Sequence, residues 1–313
     1  MTFLGQGVGF GKVILFNEHF VVYGIPAVVS AIGAKTTATV ERKPGSGYGL
    51  RDERPETPGY KAEKLQQQKE SLDIMLKFMN IDARHNHYVI TLRGDLIAAS
   101  GVGASAASCA AIARGFSDEL KLDFSDERVN DVAYEGEKGY HGTPSGIDNT
   151  AATYGGLIWY RREGSAQLME RMRLRKPVEI VMGNTGKVAD TKVIVAGVKE
   201  RKEEEPEKYG RLFQDADLLV RNARKQLEDF NLEEVGSYMN ENHRLLQEIG
   251  VSSPELDVLV KVARDAGAPG AKLTGTGRGG YMVALTPGRD LQNHVAEEIE
   301  RHGSQVVRTV IGI

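Results

Sequence analysis

Three short segments gather glycine beside polar or basic residues: Gly5 to Lys12 (GQGVGFGK), Gly101 to Ala107 (GVGASAA) and Gly275 to Gly280 (GTGRGG). Glycine reaches backbone conformations closed to other residues and lets a ligand approach the main chain. Main-chain N–H groups in such segments, above all at the start of a helix, converge on anions. The chain is therefore expected to fold with these segments as loops around a phosphate-like group, a tight turn being the alternative for any one of them. Its 36 glycines in 313 residues are about 11.5% of the chain, against an average of about 7%.

Other features narrow the class. With 40 Lys+Arg against 43 Asp+Glu, the net charge of −3 argues against a nucleic-acid partner, which calls for a basic excess. The single cysteine, Cys109, cannot close an intrachain disulfide, and no Cys/His group has zinc-ligand spacing, which fits a reducing, cytoplasmic setting. Met1 to Gly11 lacks the basic side chains of a signal peptide. Leu96 to Ala113 runs 18 residues without a charge, but its Ala, Ser and Gly offer little surface to drive insertion, so no membrane partner is expected.

Val13 to Phe16, Thr36 to Val40 and His87 to Leu92 read as strands. Leu65, Leu72, Met75, Leu76 and Met79 recur at helical spacing, predicting an amphipathic helix that packs on a sheet. Arg51 to Tyr60 reads as a loop. The Ala-rich run Ser105 to Arg114 predicts a helix directly after glycines, and Ser125 reads as the N-cap of another. Leu157 to Tyr160 is a further strand, and the polar stretch Arg161 to Pro177 is taken as a domain boundary. Beyond it, Leu212 to Phe230 and Leu232 to Ile249 read as long helices, and Ser253-Pro254 opens a third. Strands are expected at Ala271 to Leu273, Tyr281 to Leu285 and Gln305 to Ile311, with a helix near Asp290 to Arg301. The fold class is α+β with two sheets.

Two common nucleotide motifs fit poorly. A P-loop fails because Gln6 and Val13 stand where glycine and Ser/Thr are needed, and a loose Rossmann pattern matches twice, at Gly101, Gly103, Ala106 and at Gly275, Gly277, Gly280. The better phosphate cradle is Gly101 to Ser105 followed by its helix, with the Ser105 hydroxyl within reach of a magnesium ion. Glu137 and Asp148 flank a stretch containing Gly139, Gly142, Pro144 and Gly146. Such a bend can bring both acids to one site, one for metal and one for proton transfer. On their own, Glu137 also reads as a solvated helix residue, Asp148 as a turn-former and Lys12 as a solvated lysine.

Five ordered segments then form a pattern: GKVILFNEHFVVYGIPAVVSAI at 11–32, GVGASAA at 101–107, HGTPSGIDNTAATYGG at 141–156, MNENHRLLQEIGVS at 239–252 and KLTGTGRGG at 272–280. Together they resemble the GHMP small-molecule kinases, and Glu18-His19 with Val21-Val22-Tyr23-Gly24 resembles the mevalonate-kinase form of the motif. The resemblance implies a GHMP kinase fold, with an N-terminal ribosomal protein S5 domain 2-like domain over 1–165 and a C-terminal ferredoxin-like α/β-plait domain over 166–313. It implies ATP-dependent phosphorylation of the primary hydroxyl of (R)-mevalonate in isoprenoid biosynthesis by a cytoplasmic monomer or homodimer. Another small alcohol or isoprenoid acid as acceptor, or a silent sensor of the same fold, are the alternatives.

The same resemblance implies site roles. Lys12 and Asp148 would be catalytic, Asp148 taking the hydroxyl proton and also contacting substrate. Gly101, Val102, Gly103, Ala104, Ser105 and Ala106 would wrap ATP. Ser105 and Glu137 would hold Mg²⁺, and Glu18, His19, Thr191, Gly275 and Thr276 would lie against the substrate. The chain departs from the family pattern at Phe10, Asn17, Ala104, Thr276, Arg278 and Tyr281. Arg278 is placed either to meet a phosphate or an anionic substrate or to point to solvent.

Overall fold

The computed structural model describes residues 4–99, 101–164, 166–187, 189 and 191–313. The chain forms two compact units, one from the chain up to Lys12 with Ala31–Gly155, the other from Val13–Ser30 with Gly156–Ile313. Strands β1 (Gly5–Phe16) and β2 (Ala27–Lys43) pass through both.

In the first unit, β2 pairs antiparallel with β4 (His87–Arg93), which pairs parallel with β3 (Gly47–Asp52), with Val40 opposite Ile90 and Leu50 opposite Ile90. Four helices belong to this unit: α1 (Tyr60–Phe78), α2 (Ala104–Leu120), α3 (Asp126–His141) and α4 (Ile147–Tyr154). Ser125 caps α3 as expected, its side chain accepting from the Arg128 N–H. The expectation that α1 lies on a sheet needs correction, because its principal partner is α3. It buries Ser71, Leu72, Met75 and Leu76, while Leu65 stays exposed.

The first glycine-rich segment is also corrected: it is a strand, not a loop. A Cβ at Gly5, Gly7 or Gly9 would lie 2.3, 2.1 or 2.1 Å from the carbonyl oxygens of Gly115, Ala111 and Ala107. Alternate residues of β1 thus meet successive turns of α2, two residues of strand rise matching roughly one 5.4 Å helical turn. These glycines allow a strand to lie directly on helix backbone.

In the second unit, β7 (Val178–Asn184), β8 (Gly270–Thr274), β9 (Tyr281–Leu285) and β10 (Gln305–Ile311) form an antiparallel sheet in the order β10-β7-β9-β8. Numbered among themselves, these four strands stand in the 4-1-3-2 order of the expected α/β-plait. Helices α5 (Thr191–Glu204), α6 (Pro206–Glu228), α7 (Leu232–Glu248), α8 (Pro254–Asp265) and α9 (Arg289–Arg301) complete it. Ser253 caps α8 by accepting from the Leu256 N–H, with Pro254 in the first turn. The polar stretch 161–177, with residue 165 outside the described residues, carries the end of β5 (Leu157–Glu163) and all of β6 (Ala166–Met172), which pair as a hairpin. Among the described residues, no helix is long and apolar enough to cross a membrane.

Candidate active site

In the first unit, Lys12 is 4% exposed, and its ammonium lies 2.8 Å from Oδ1 of Asp148. Asp148 stands in the first turn of α4, which begins after Gly146 in the left-handed conformation. The Lys12 N–H donates to the Val102 carbonyl at 2.9 Å. Gly103 (φ 73) presses against the lysine stem, and a Cβ there would come within 2.7 Å of Lys12 Cγ. Backbone freedom at that position therefore keeps the loop against Lys12.

Ala104 is the first residue of α2, and Ser105 and Ala106 follow in its first turn. Among the described residues no side chain caps this helix start, and its first turn holds no acidic residue. Its opening amide groups and the positive end of its dipole are left for an anion. The carbonyl of Ala104 accepts from Arg54 at 3.2 Å, and Arg54 also binds Thr36 and both oxygens of Asp52. Burial pushes the Asp52 carboxyl up, but Arg54 outweighs it and holds the group below the usual range. The buried Arg54–Asp52 pair is not legible in the sequence, where two opposite charges two residues apart are its faint signal.

Glu137, on α3, is 1% exposed, and among the described residues neither of its oxygens meets a donor in good hydrogen-bond geometry. Burial first and the charge of Asp148 second push its carboxyl up to about 8, against the opposing pull of Ser105 and Lys12. A buried carboxylate short of donors is a poor structural residue and a suitable ligand for a hard cation. Among the described residues no group of three or more His, Cys, Asp or Glu converges. The Glu137 carboxylate and Ser105 hydroxyl fit an ion such as Mg²⁺ that completes its shell with phosphate and water oxygens.

The second unit gathers another set. His19 sits at φ 63 before a single 3-10 turn, Phe20–Tyr23, and its Nε2 lies 2.8 Å from the Thr276 carbonyl. Since a carbonyl only accepts, Nε2 carries the proton. Burial is the main reason that the ring is held down at about 4, so His19 is neutral at pH 7, with Nδ1 enclosed and, among the described residues, lacking a hydrogen-bond partner. The hydroxyls of Thr276 and Thr191, the latter opening α5, are 2.8 Å apart. Gly275 precedes Thr276 at φ 82. Glu18 is bound to Lys272 at 2.5 Å, and both are buried.

These arrangements can be compared with known proteins. Two family models match: GHMP kinases N terminal domain over residues 69–156 and GHMP kinases C terminal over residues 223–305. The mevalonate kinase of Pyrococcus horikoshii is 34% identical, covering 93% of this chain and 91% of its own. That of Aeropyrum pernix is 35% identical, again over 93% and 91%. The chain belongs to the GHMP kinase family, in its mevalonate kinase branch. A crystal structure of L. major mevalonate kinase in complex with R-mevalonate is 38% identical, with a TM-score of 0.96 over 99% of this chain and 98% of that one.

Two departures from the usual GHMP kinase motifs have structural reasons. Asn17, where glycine is usual, adopts φ 70, a left-handed conformation that asparagine tolerates. Its side-chain amide donates to the carbonyls of Pro26 and Ala216, and its Oδ1 accepts from Asn242 at 3.0 Å. It is a bracket for the turn before His19. Arg278 is exposed and donates through Nε to the Gly250 carbonyl at 3.1 Å. His243 is likewise structural, accepting from the Leu273 N–H through Nδ1 and facing Asp257 through Nε2. Nothing in the structure explains the choice of Tyr281 over the common cysteine.

Proposed function

We propose that the chain transfers the γ-phosphoryl of ATP to the primary hydroxyl of (R)-mevalonate, giving 5-phosphomevalonate and ADP. The observation that carries this is the Lys12–Asp148 contact beside the buried Glu137 and the uncapped start of α2. The likeness to a mevalonate-bound enzyme supports the choice of acceptor.

In this reading, Gly101 to Ala106 bind the triphosphate through main-chain N–H groups. Asp148 accepts the hydroxyl proton at its carboxylate, and Lys12 steadies the developing alkoxide and the equatorial oxygens of the moving phosphoryl. Ser105 and Glu137 hold Mg²⁺, which when bound neutralises phosphate charge. His19, Thr191, Gly275 and Thr276 bind the acceptor, His19 as a neutral ring, with Glu18 fixed behind it by Lys272. The domain division is placed at 1–165 and 166–313, and the enzyme is read as a cytoplasmic monomer or homodimer.

The deciding experiment is a coupled assay of ADP release by the purified chain. Turnover should require ATP, Mg²⁺ and mevalonate together. Far higher kcat/KM with a different alcohol would replace mevalonate as the acceptor, and binding without turnover of any acceptor would favour a sensor.

A further inference from the structure

We propose that Arg278 is a positioning residue for the acceptor, acting through Thr276. The proposal rests on the phosphotransfer reading above.

Arg278 lies in the glycine-rich loop at φ 50, a region that glycine enters freely and arginine rarely does. Its hydrogen bonds to the described residues go to one turn. Its main-chain N–H donates to the Val251 carbonyl at 2.8 Å, and its Nε donates to the Gly250 carbonyl at 3.1 Å. The preceding residue, Gly277, is pressed on the same turn, since a Cβ there would come within 2.2 Å of the Val251 oxygen. On the turn's other flank, Arg201 of α5 donates to the Ile249 carbonyl at 2.8 Å.

Residues 249–251, just after α7, therefore anchor both α5 and the glycine-rich loop. Helix α5 begins with Thr191 and the loop carries Thr276, and the two hydroxyls meet at 2.8 Å. The Thr276 carbonyl in turn orients the His19 ring. Pinning the loop at Arg278, two residues from Thr276, sets three acceptor-side groups at once. The competing account is that the guanidinium attracts an anionic acceptor directly, and the two accounts differ in what a lysine at this position would do.

The test is steady-state kinetics of the full chain, varying mevalonate and ATP separately, for wild type, Arg278→Gly and Arg278→Lys. Glycine relieves the backbone strain but removes the Nε donor, and lysine keeps the charge without a donor at that place. Positioning predicts a rise in KM for mevalonate of roughly threefold to tenfold in both variants, the worth of one ordinary hydrogen bond. The kcat and the KM for ATP should stay within about twofold, as expected when binding of one substrate alone is weakened. An unchanged KM for mevalonate in Arg278→Gly overturns the proposal. So does full recovery in Arg278→Lys, which assigns the effect to charge, and so does a parallel loss in kcat and both KM values with a lowered Tm. If wild type phosphorylates a different alcohol instead, the mevalonate reading fails, and the same split measured with that alcohol decides Arg278.

Discussion

The ammonium of Lys12 stands 2.8 Å from Oδ1 of Asp148, with the lysine side chain 5% and the aspartate side chain 32% exposed. A cation and a proton acceptor are set side by side, the acceptor open on one side and the cation enclosed. That asymmetry suits a site in which the hydroxyl approaches Asp148 while Lys12 stays desolvated, where its charge acts most strongly.

Replacing Asp148 by Asn keeps the shape and removes the proton acceptor. Turnover should fall by ~10²–10⁴, while the KM for ATP changes little. Single-turnover measurements separate chemistry from product release, and an unchanged chemical step would remove Asp148 from its role.

Glu137 offers a pH signature of the metal-free protein. Its folded-state value of about 8 lies above the ordinary 4.5, so the folded chain holds this proton more tightly than the unfolded one. Stability should therefore decline as pH rises from about 5 to 8, by at most ~1.4 kcal/mol per pH unit from this group. Tm recorded in EDTA across that range should show the decline, and Glu137→Gln should flatten it. Equal slopes in the two proteins would refute the assignment.

The bracket at Asn17 separates two costs. Asn17→Gly keeps the φ of 70 but loses the bonds to Pro26, Ala216 and Asn242, an expected loss of ~1–3 kcal/mol. Asn17→Ala loses the same bonds and adds ~1–2 kcal/mol of left-handed strain. Urea denaturation should rank wild type above glycine and glycine above alanine.

The Glu18–Lys272 pair lies out of reach of water. Lys272→Met should cost ~3–5 kcal/mol by taking one member away from a buried ion pair. Adding Glu18→Leu should restore much of that loss, since an apolar pair often replaces a buried ion pair at little cost. A double mutant no more stable than Lys272→Met would show that the pair is not what limits stability.

Much of this architecture was legible in local patterns. Ser125 and Ser253-Pro254 mark helix starts because a cap satisfies N–H groups within a few residues of itself. The helix after Gly103 and the strands Tyr281 to Leu285 and Gln305 to Ile311 follow from apolar runs bounded by glycine or polar turns. Helix α4 is hard to read from the sequence because it has only eight residues and its first turn holds Asp148, a residue that also reads as a turn-former. Helix α1 is legible by its period, but period alone does not say whether its buried face meets a sheet or another helix.

The sequence by itself determined the fold class, the family and the chemical types at the site, because helix caps, hydrophobic period and ordered motifs act over short stretches of chain. Tertiary structure alone decided what the glycines and charges are for. The first glycine segment proved to be a strand laid on α2, a role visible only when Gly5, Gly7 and Gly9 meet carbonyls about a hundred residues away. Asn17 meets Asn242, and Glu18 meets Lys272, across 225 and 254 residues. Pairings of that kind depend on which surfaces pack together, and packing is a property of the assembled chain that local spacing does not encode.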